Sequence, residues 1–273
     1  MTTKIEGLSL SELEVLARVR FAVTAGLVAL AGGSDPGLAA KAAKSPFILR
    51  LSAPGIPPAF VVSEGGRLLS YSGGARPPRG ASSLVLRFAS PRQASVVLAG
   101  GSGTPLPLFL GRGALAALGF FRAASSRAPA LLADKATAPA LRARLLAEAA
   151  LRGLVEVGNA DPALTERLAH VPEGTVTFEV GSRDPGGAFS LGLAKRGGHL
   201  AFLPEAPASP NARLSFRDPE SACAVLGGSR QAAVALGAGE VSLRGLLPLA
   251  QGLFAVLDRL GDYLAVKVKE AAL

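Results

Sequence analysis

The chain has 273 residues, with 29 Lys and Arg against 20 Asp and Glu, a net charge of +9. Nearly half of the residues are apolar (49%) and 18% are charged, which excludes a disordered chain and allows about two domains of roughly 150 residues. One cysteine, Cys223, excludes an internal disulfide and fits a reducing, cytoplasmic compartment, and with only His170 and His199 beside it the chain has no Cys/His set for a metal.

From the N-terminus, Leu13, Leu16, Val19, Val23, Leu27 and Leu30 recur at three- and four-residue spacing and predict one helix, with Ser9/Glu12 and Ser11/Glu14 as candidate capping boxes. Its apolar run, Phe21 to Gly33, is too short to span a bilayer, and the residues before it include Glu12 and Glu14, so a core helix is expected rather than a signal sequence. Asp35-Pro36 starts a short helix, because Asp accepts the free backbone protons and Pro is preset for the first turn. FILRLSA reads as a strand, and AFVVSEGGRLLSY (Ala59 to Tyr71) as a hairpin turning on two glycines. After Phe88, Ser90-Pro91 starts a helix. Pro105 and Pro107 must lie in a loop or on a sheet edge, since neither can donate to a ladder. The helix ALAALGFFRAASSRAPALL is expected to be short and interrupted at Pro129.

The same order then recurs. LRFASPRQASVVLAGG and LSFRDPESACAVLGG align with Phe88 on Phe216, and Pro91/Pro219, Ala94/Ala222, Val97/Val225, Leu98/Leu226 and Gly100/Gly228 also match. Upstream, Asp35-Pro36 parallels Asp161-Pro162, and the hairpin has a counterpart in AFSLGLAKRGGHLAF; downstream, Arg112-Gly113 parallels Arg244-Gly245. The chain is therefore a tandem duplication, with domains at 1–130 and 131–273, each of an ordinary single-domain size. Each copy is expected to run helix, short helix, three strands, helix, strand and closing helix. Phe189, Leu191 and Leu193 alternate, as do Leu214 with Phe216 and Val241 with Leu243, so each strand has one apolar face. The fold class is α+β: in each domain a mostly antiparallel or mixed sheet is covered on one face by helices.

NARLSFRDPESACAVLGGSRQAAVALGAGEVSLRGLLPLAQGLFAVLDRL, with its Asp-led helix reaching Gly227-Gly228 and its A…G.V…G segment before a long last helix, resembles the C-terminal part of sterol carrier protein-2-like domains. AKRGGHLAF is similar to that family's early strands. The resemblance covers about Pro172 to Tyr263 and, more weakly, Ser45 to Phe121. It implies a five-stranded sheet and an apolar tunnel for a fatty acyl, sterol-like or isoprenoid lipid, without cofactor or metal. On that reading the walls of the second copy are Phe189, Leu191, Leu214, Phe216, Leu226, Val241, Leu243, Leu246, Leu249, Leu253, Phe254 and Leu257, with the final helix as a lid. An apolar stripe over a sheet is equally the pattern of a filled core, and sequence alone does not separate the two. In the first copy AGGSGTPLPLFL departs from the pattern, so that site is expected to have diverged.

The charge is lopsided. Lys41, Lys44, Arg50, Arg67, Arg76, Arg79, Arg87, Arg92, Arg112, Arg122 and Arg127 face Glu64 alone, whereas from Pro129 onwards fifteen bases balance fifteen acids. This favours an anionic partner for the first domain, and a membrane surface suits a lipid carrier. Nucleic acid is disfavoured, as no binding motif interleaves bases with aromatics. A scaffold that associates with a protein partner is the alternative to lipid binding. Catalysis finds no support: His170 ends a helix, His199 follows the hairpin glycines, Cys223 sits among small apolar residues, Asp258 and Asp262 lie on a solvated helix face, and AGGSGTP lacks the Lys-Ser/Thr of a phosphate loop.

Overall fold

A computed structural model describes residues 2–4, 8–75, 77, 83–182, 184, 186–265 and 269–271; Arg76 and Arg79 of the basic run lie outside them. The chain forms two compact units, Met1–Ala130 with Gly261–Leu273, and Leu131–Leu260. The terminal segment falls with the first unit because β12 (Lys269–Ala271) pairs antiparallel with β1 (Thr2–Lys4).

In the first unit, α1 (Leu10–Ser34) and α2 (Pro36–Lys44) precede β2 (Phe47–Ala53), β3 (Ile56–Glu64), β4 (Arg67–Tyr71) and β5 (Leu84–Arg87); α3 (Pro91–Leu98), β6 (Leu106–Phe109) and α4 (Ala114–Ala133) follow. In the second, α5 (Pro139–Ala160) and α6 (Pro162–Ala169) precede β7 (Gly174–Val180), β8 (Phe189–Arg196), β9 (His199–Leu203) and β10 (Ala212–Phe216). Then come α7 (Pro219–Leu226), α8 (Ala232–Gly237), β11 (Val241–Gly245) and α9 (Leu247–Ala265). Four strands, not three, precede α3 and α7. Beside the two-stranded β1-β12 pair, each unit has a five-stranded sheet, ordered β4-β3-β2-β5-β6 and β11-β10-β7-β8-β9, with one parallel pair in an otherwise antiparallel ladder.

Local chemistry sets these elements twice over. Ser9 and Glu12 close a reciprocal capping box on α1. Asp35 and Asp161 cap α2 and α6, accepting from Gly37 N–H at 2.9 Å and Ala163 N–H at 3.0 Å. Ser90 and Asp218 cap α3 and α7. Gly65-Gly66 and Gly197-Gly198 have the same φ values, 56° and 77°, as a two-residue turn between twisted strands requires.

The core of the first unit closes on aromatics: Phe47 meets Phe120 with ring centroids 5.1 Å apart, and Phe21 meets Phe88 at 5.6 Å. Although α1 is long and apolar enough to cross a membrane, its face from Val15 to Gly32 is buried in this core. Pro107 stands on an edge strand, opposite Leu86. Two further expectations are corrected. α4 runs 20 residues, against 19 for α9, and continues through Pro129, which forfeits one helical hydrogen bond near its end without breaking it. The Arg-Gly echo is displaced in space: Arg244 and Gly245 end β11, whereas Arg112 and Gly113 lie in the link after β6.

A Cβ at Gly32 would lie 2.3 Å from Phe120 Cζ, and that ring is held by Phe47. Gly32→Ala gains about 1 kcal/mol of helix propensity but overpacks a closed core at ~1–3 kcal/mol. The expected net result is a lower urea midpoint for the first unit, partly restored by adding Phe120→Leu.

Candidate functional site

The two units carry corresponding strands with different degrees of filling. Leu86 on β5 and Leu214 on β10 are counterparts, each flanked by strands on both sides. Leu86 is 2% exposed, while Leu214 remains only half-buried. The cause is a cavity of about 370 Å³ between the second sheet and its helices.

Register puts one apolar face against this space. Val176 and Phe178 on β7 pair with Ala212 and Leu214 on β10, and Leu214 and Phe216 pair with Leu243 and Val241 on β11. Leu193 on β8 extends the row opposite Val176. Phe178 and Phe216 meet at 4.9 Å, forming part of the floor. α5 supplies Ala150, Leu151 and Leu154, α7 Val225 and Leu226, α8 Ala232, Ala233 and Leu236, and α9 Ala250, Leu253, Phe254, Leu257 and Asp258. Asp258 is the one charged lining residue, and it is exposed. Leu236, Phe254 and Leu257 are 51%, 38% and 36% exposed, an apolar rim on the side where the cavity opens.

Of the twelve wall residues expected from the sequence, Leu214, Phe216, Leu226, Val241, Leu243, Leu253, Phe254 and Leu257 line the cavity. Phe189, Leu191, Leu246 and Leu249 do not. Phe189 begins β8, away from the space, and Leu191 is fully packed in the core beside it. Leu246 forms the link before α9, its N–H bonded to Asn211 O. Leu249 is fully buried and presses toward Gly174, where a Cβ would stand 3.0 Å from its Cδ2. The α5 and α8 contributions were not anticipated: no residue of either helix is among the expected walls, and α8 is a helix additional to the expected order, between α7 and β11. Asp258 is exposed as expected, at the edge of the cavity rather than remote from it.

Elsewhere in this unit, a polar depression beside α7 holds Arg217, Asp218, Arg230 and Glu240. Their charges satisfy one another: Arg217 Nε lies 2.9 Å from Asp218 Oδ2, and Arg230 pairs with Glu240. His170 caps the end of α6 and His199 opens β9, both exposed, and the half-buried Cys223 thiol is pushed up by burial. Among the described residues, no three His, Cys, Asp or Glu gather as metal ligands.

No protein-family model matches the sequence, and no curated protein matches it. Among solved structures, the chain is similar to sterol carrier protein domain 2 of Helicoverpa armigera, at 15% identity and a TM-score of 0.33, over 46% of this chain and 93% of that one. Sterol carrier protein 2 like 2 of Aedes aegypti is matched at 18% identity and a TM-score of 0.28, over 41% and 97%. The UbiJ-SCP2 ubiquinone synthesis protein is matched at 18% identity and a TM-score of 0.31, over 40% and 94%.

α7, which carries part of the wall, starts on Asp218. The Ser221 hydroxyl, then Arg217 and the Ser221 N–H, hold its carboxyl at about 2, below the usual 3.8. A depressed carboxyl stabilises the fold above its unfolded value and loses that contribution as pH falls toward its folded one. Asp218→Ala is expected to cost about 1 kcal/mol at neutral pH. In urea titrations its gap from the parent should narrow between about pH 4 and pH 2; a constant gap would contradict the assignment.

Proposed function

We propose that the protein binds or carries a hydrophobic ligand without chemical transformation, in the cavity of its second unit. The observation that carries this is the hollow itself: about 370 Å³ with apolar walls, within the range of small-molecule sites. At ~24 cal/mol per Å³, an empty apolar void of this size would cost up to about 9 kcal/mol, comparable with the whole stability of a domain. Water entering through the open rim lowers that cost, and an apolar occupant removes it. The walls offer no set of polar groups to orient a reacting centre, so recognition by shape and burial is the chemistry they support, as a fatty acyl chain, sterol or isoprenoid requires. The resemblance of the segment from Pro172 to Tyr263 to sterol carrier protein-2-like domains points to the same ligand class. In this reading the basic first unit meets the anionic surface from which the ligand is drawn or to which it is delivered.

Leu253 is 6% exposed and lines the cavity from α9. Leu253→Glu places a charge in that wall and is expected to abolish uptake of a fluorescent fatty acid and a fluorescent sterol by the full chain. Leu10→Glu, on a residue 82% exposed, serves as the charge control. Mass spectrometry of the purified protein under native conditions should show a bound lipid in the parent and none in Leu253→Glu. Full uptake by a folded Leu253→Glu variant would remove the cavity from the mechanism.

A further inference from the structure

The two units also differ between the last strand and the closing helix. In the second unit β11 ends at Gly245 and α9 begins at Leu247, so the half-buried Leu246 is the whole link. In the first, β6 ends at Phe109 and α4 begins at Ala114, leaving Leu110, Gly111, Arg112 and Gly113 between them. This longer link and its flanks expose Leu106 (59%), Phe109 (50%), Leu110 (60%) and Leu115 (77%) within ten residues. Arg112 is exposed among them, and Arg87, also exposed, stands opposite Leu106 across the β5 and β6 pair. Isolated exposed leucines need no explanation, but four large apolar side chains exposed within one ten-residue segment do; Leu106 and Phe109, three apart on β6, project to opposite faces, so the apolar surface wraps the edge strand.

We propose that Leu106–Leu115 is a membrane-docking wedge, whose Leu and Phe side chains enter the interface of an anionic bilayer while Arg87 and Arg112 meet lipid phosphates. The inference rests on the reading that the first unit meets an anionic surface, and it names the element that does so. Charge complementarity supports a bilayer: from Gly65 to Ala133 the sequence holds eight arginines and no acid. Strand addition by a protein partner is opposed by the edge itself. Leu110 N–H donates inward to Ser83 O, so the two-residue alternation of an antiparallel pair turns Pro107 N outward, and the free edge lacks a donor there.

The chain contains no tryptophan, so Leu110→Trp introduces a single indole reporter into the full-length protein. With vesicles of phosphatidylcholine and about 30 mol% phosphatidylserine, its emission is expected to shift to the blue and to be quenched by brominated acyl chains; neutral phosphatidylcholine vesicles should give neither change. Leu110→Asp combined with Leu115→Ser, both at mostly exposed sites, should lower the vesicle-bound fraction by at least about tenfold and leave uptake of a fluorescent lipid by the second unit unchanged. Binding of anionic vesicles with an unshifted indole would overturn the wedge while leaving contact through charge. No binding of anionic vesicles by the parent would overturn both. A dimer in sedimentation that the double variant dissolves, without vesicle binding by the parent, would assign the patch to a second copy and overturn the proposal.

Discussion

The geometry of the second unit depends on how α9 is held at its two ends. Near its start, Leu249 packs toward Gly174 at the beginning of β7. Toward its end, Val256 and Leu260 lie against Gly158 and Gly153 of α5, where the missing side chains let the helices approach. Arg259 locks this contact through Asp161, its Nε 3.0 Å from an almost fully buried carboxylate that also caps α6. α9 therefore leans on α5 at its far end and on the strand end at its near one. The stretch between, centred on Leu253 and Phe254, roofs the space without filling it. Asp35 and Arg127 repeat the pair in the first unit at 3.8 Å, with more solvent around both. An exposed pair of that kind contributes little, whereas a cap and an ion pair sharing one buried oxygen pair restrain two helices together.

The first unit shows what the same plan becomes when it is filled. Strand register equates Phe47 with Gly174, and the Arg127/Arg259 correspondence equates Phe120 with Gly252. Two glycines in one copy stand where the other has a pair of packed rings. The buried residues of α4 include Ala117, Phe120 and Ala124, set close to the sheet, while α9 presents Leu253 and Phe254 across a gap. The second copy also has α8, whose Ala232, Ala233 and Leu236 wall one side of the cavity. The corresponding stretch of the first copy is the shorter, proline-bearing AGGSGTP. Duplication has thus left one unit with a closed core and a basic, apolar-tipped edge, and the other with a hollow.

Much of this was legible because it is written in local chemistry. Asp-Pro caps, Gly-Gly turns and strand alternation act within a few residues, so the duplication and most of the order of elements followed from them, short of the fourth strand before α3 and α7 and of α8. The cavity did not follow, because Leu214 and Leu86 are the same residue in the same motif; the difference lies in what stands across from them. The roof was half-legible for a similar reason: Leu249 and Leu253 share a helical face, but only the contact with Gly174 decides that the first is packed and the second is not. Pro129 misled because a proline near the end of a helix removes a single bond that the remaining turns tolerate. The Arg-Gly echo misled because identical dipeptides fell on either side of a change in link length.

α8 has a consequence for time rather than affinity. Its six residues bury only Ala235, while Val234 is 57% exposed and Leu236, at the cavity rim, 51%. A segment with so little packing opens locally at a small fraction of the free energy needed to unfold the unit. The hollow is therefore framed by the sheet, α5, α7 and α9, and α8 is the weakly held wall beside its open rim. On the proposed function, an occupant that leaves past α8 would do so at the rate of that local opening, so residence time would change through α8 while the other walls stay as they are.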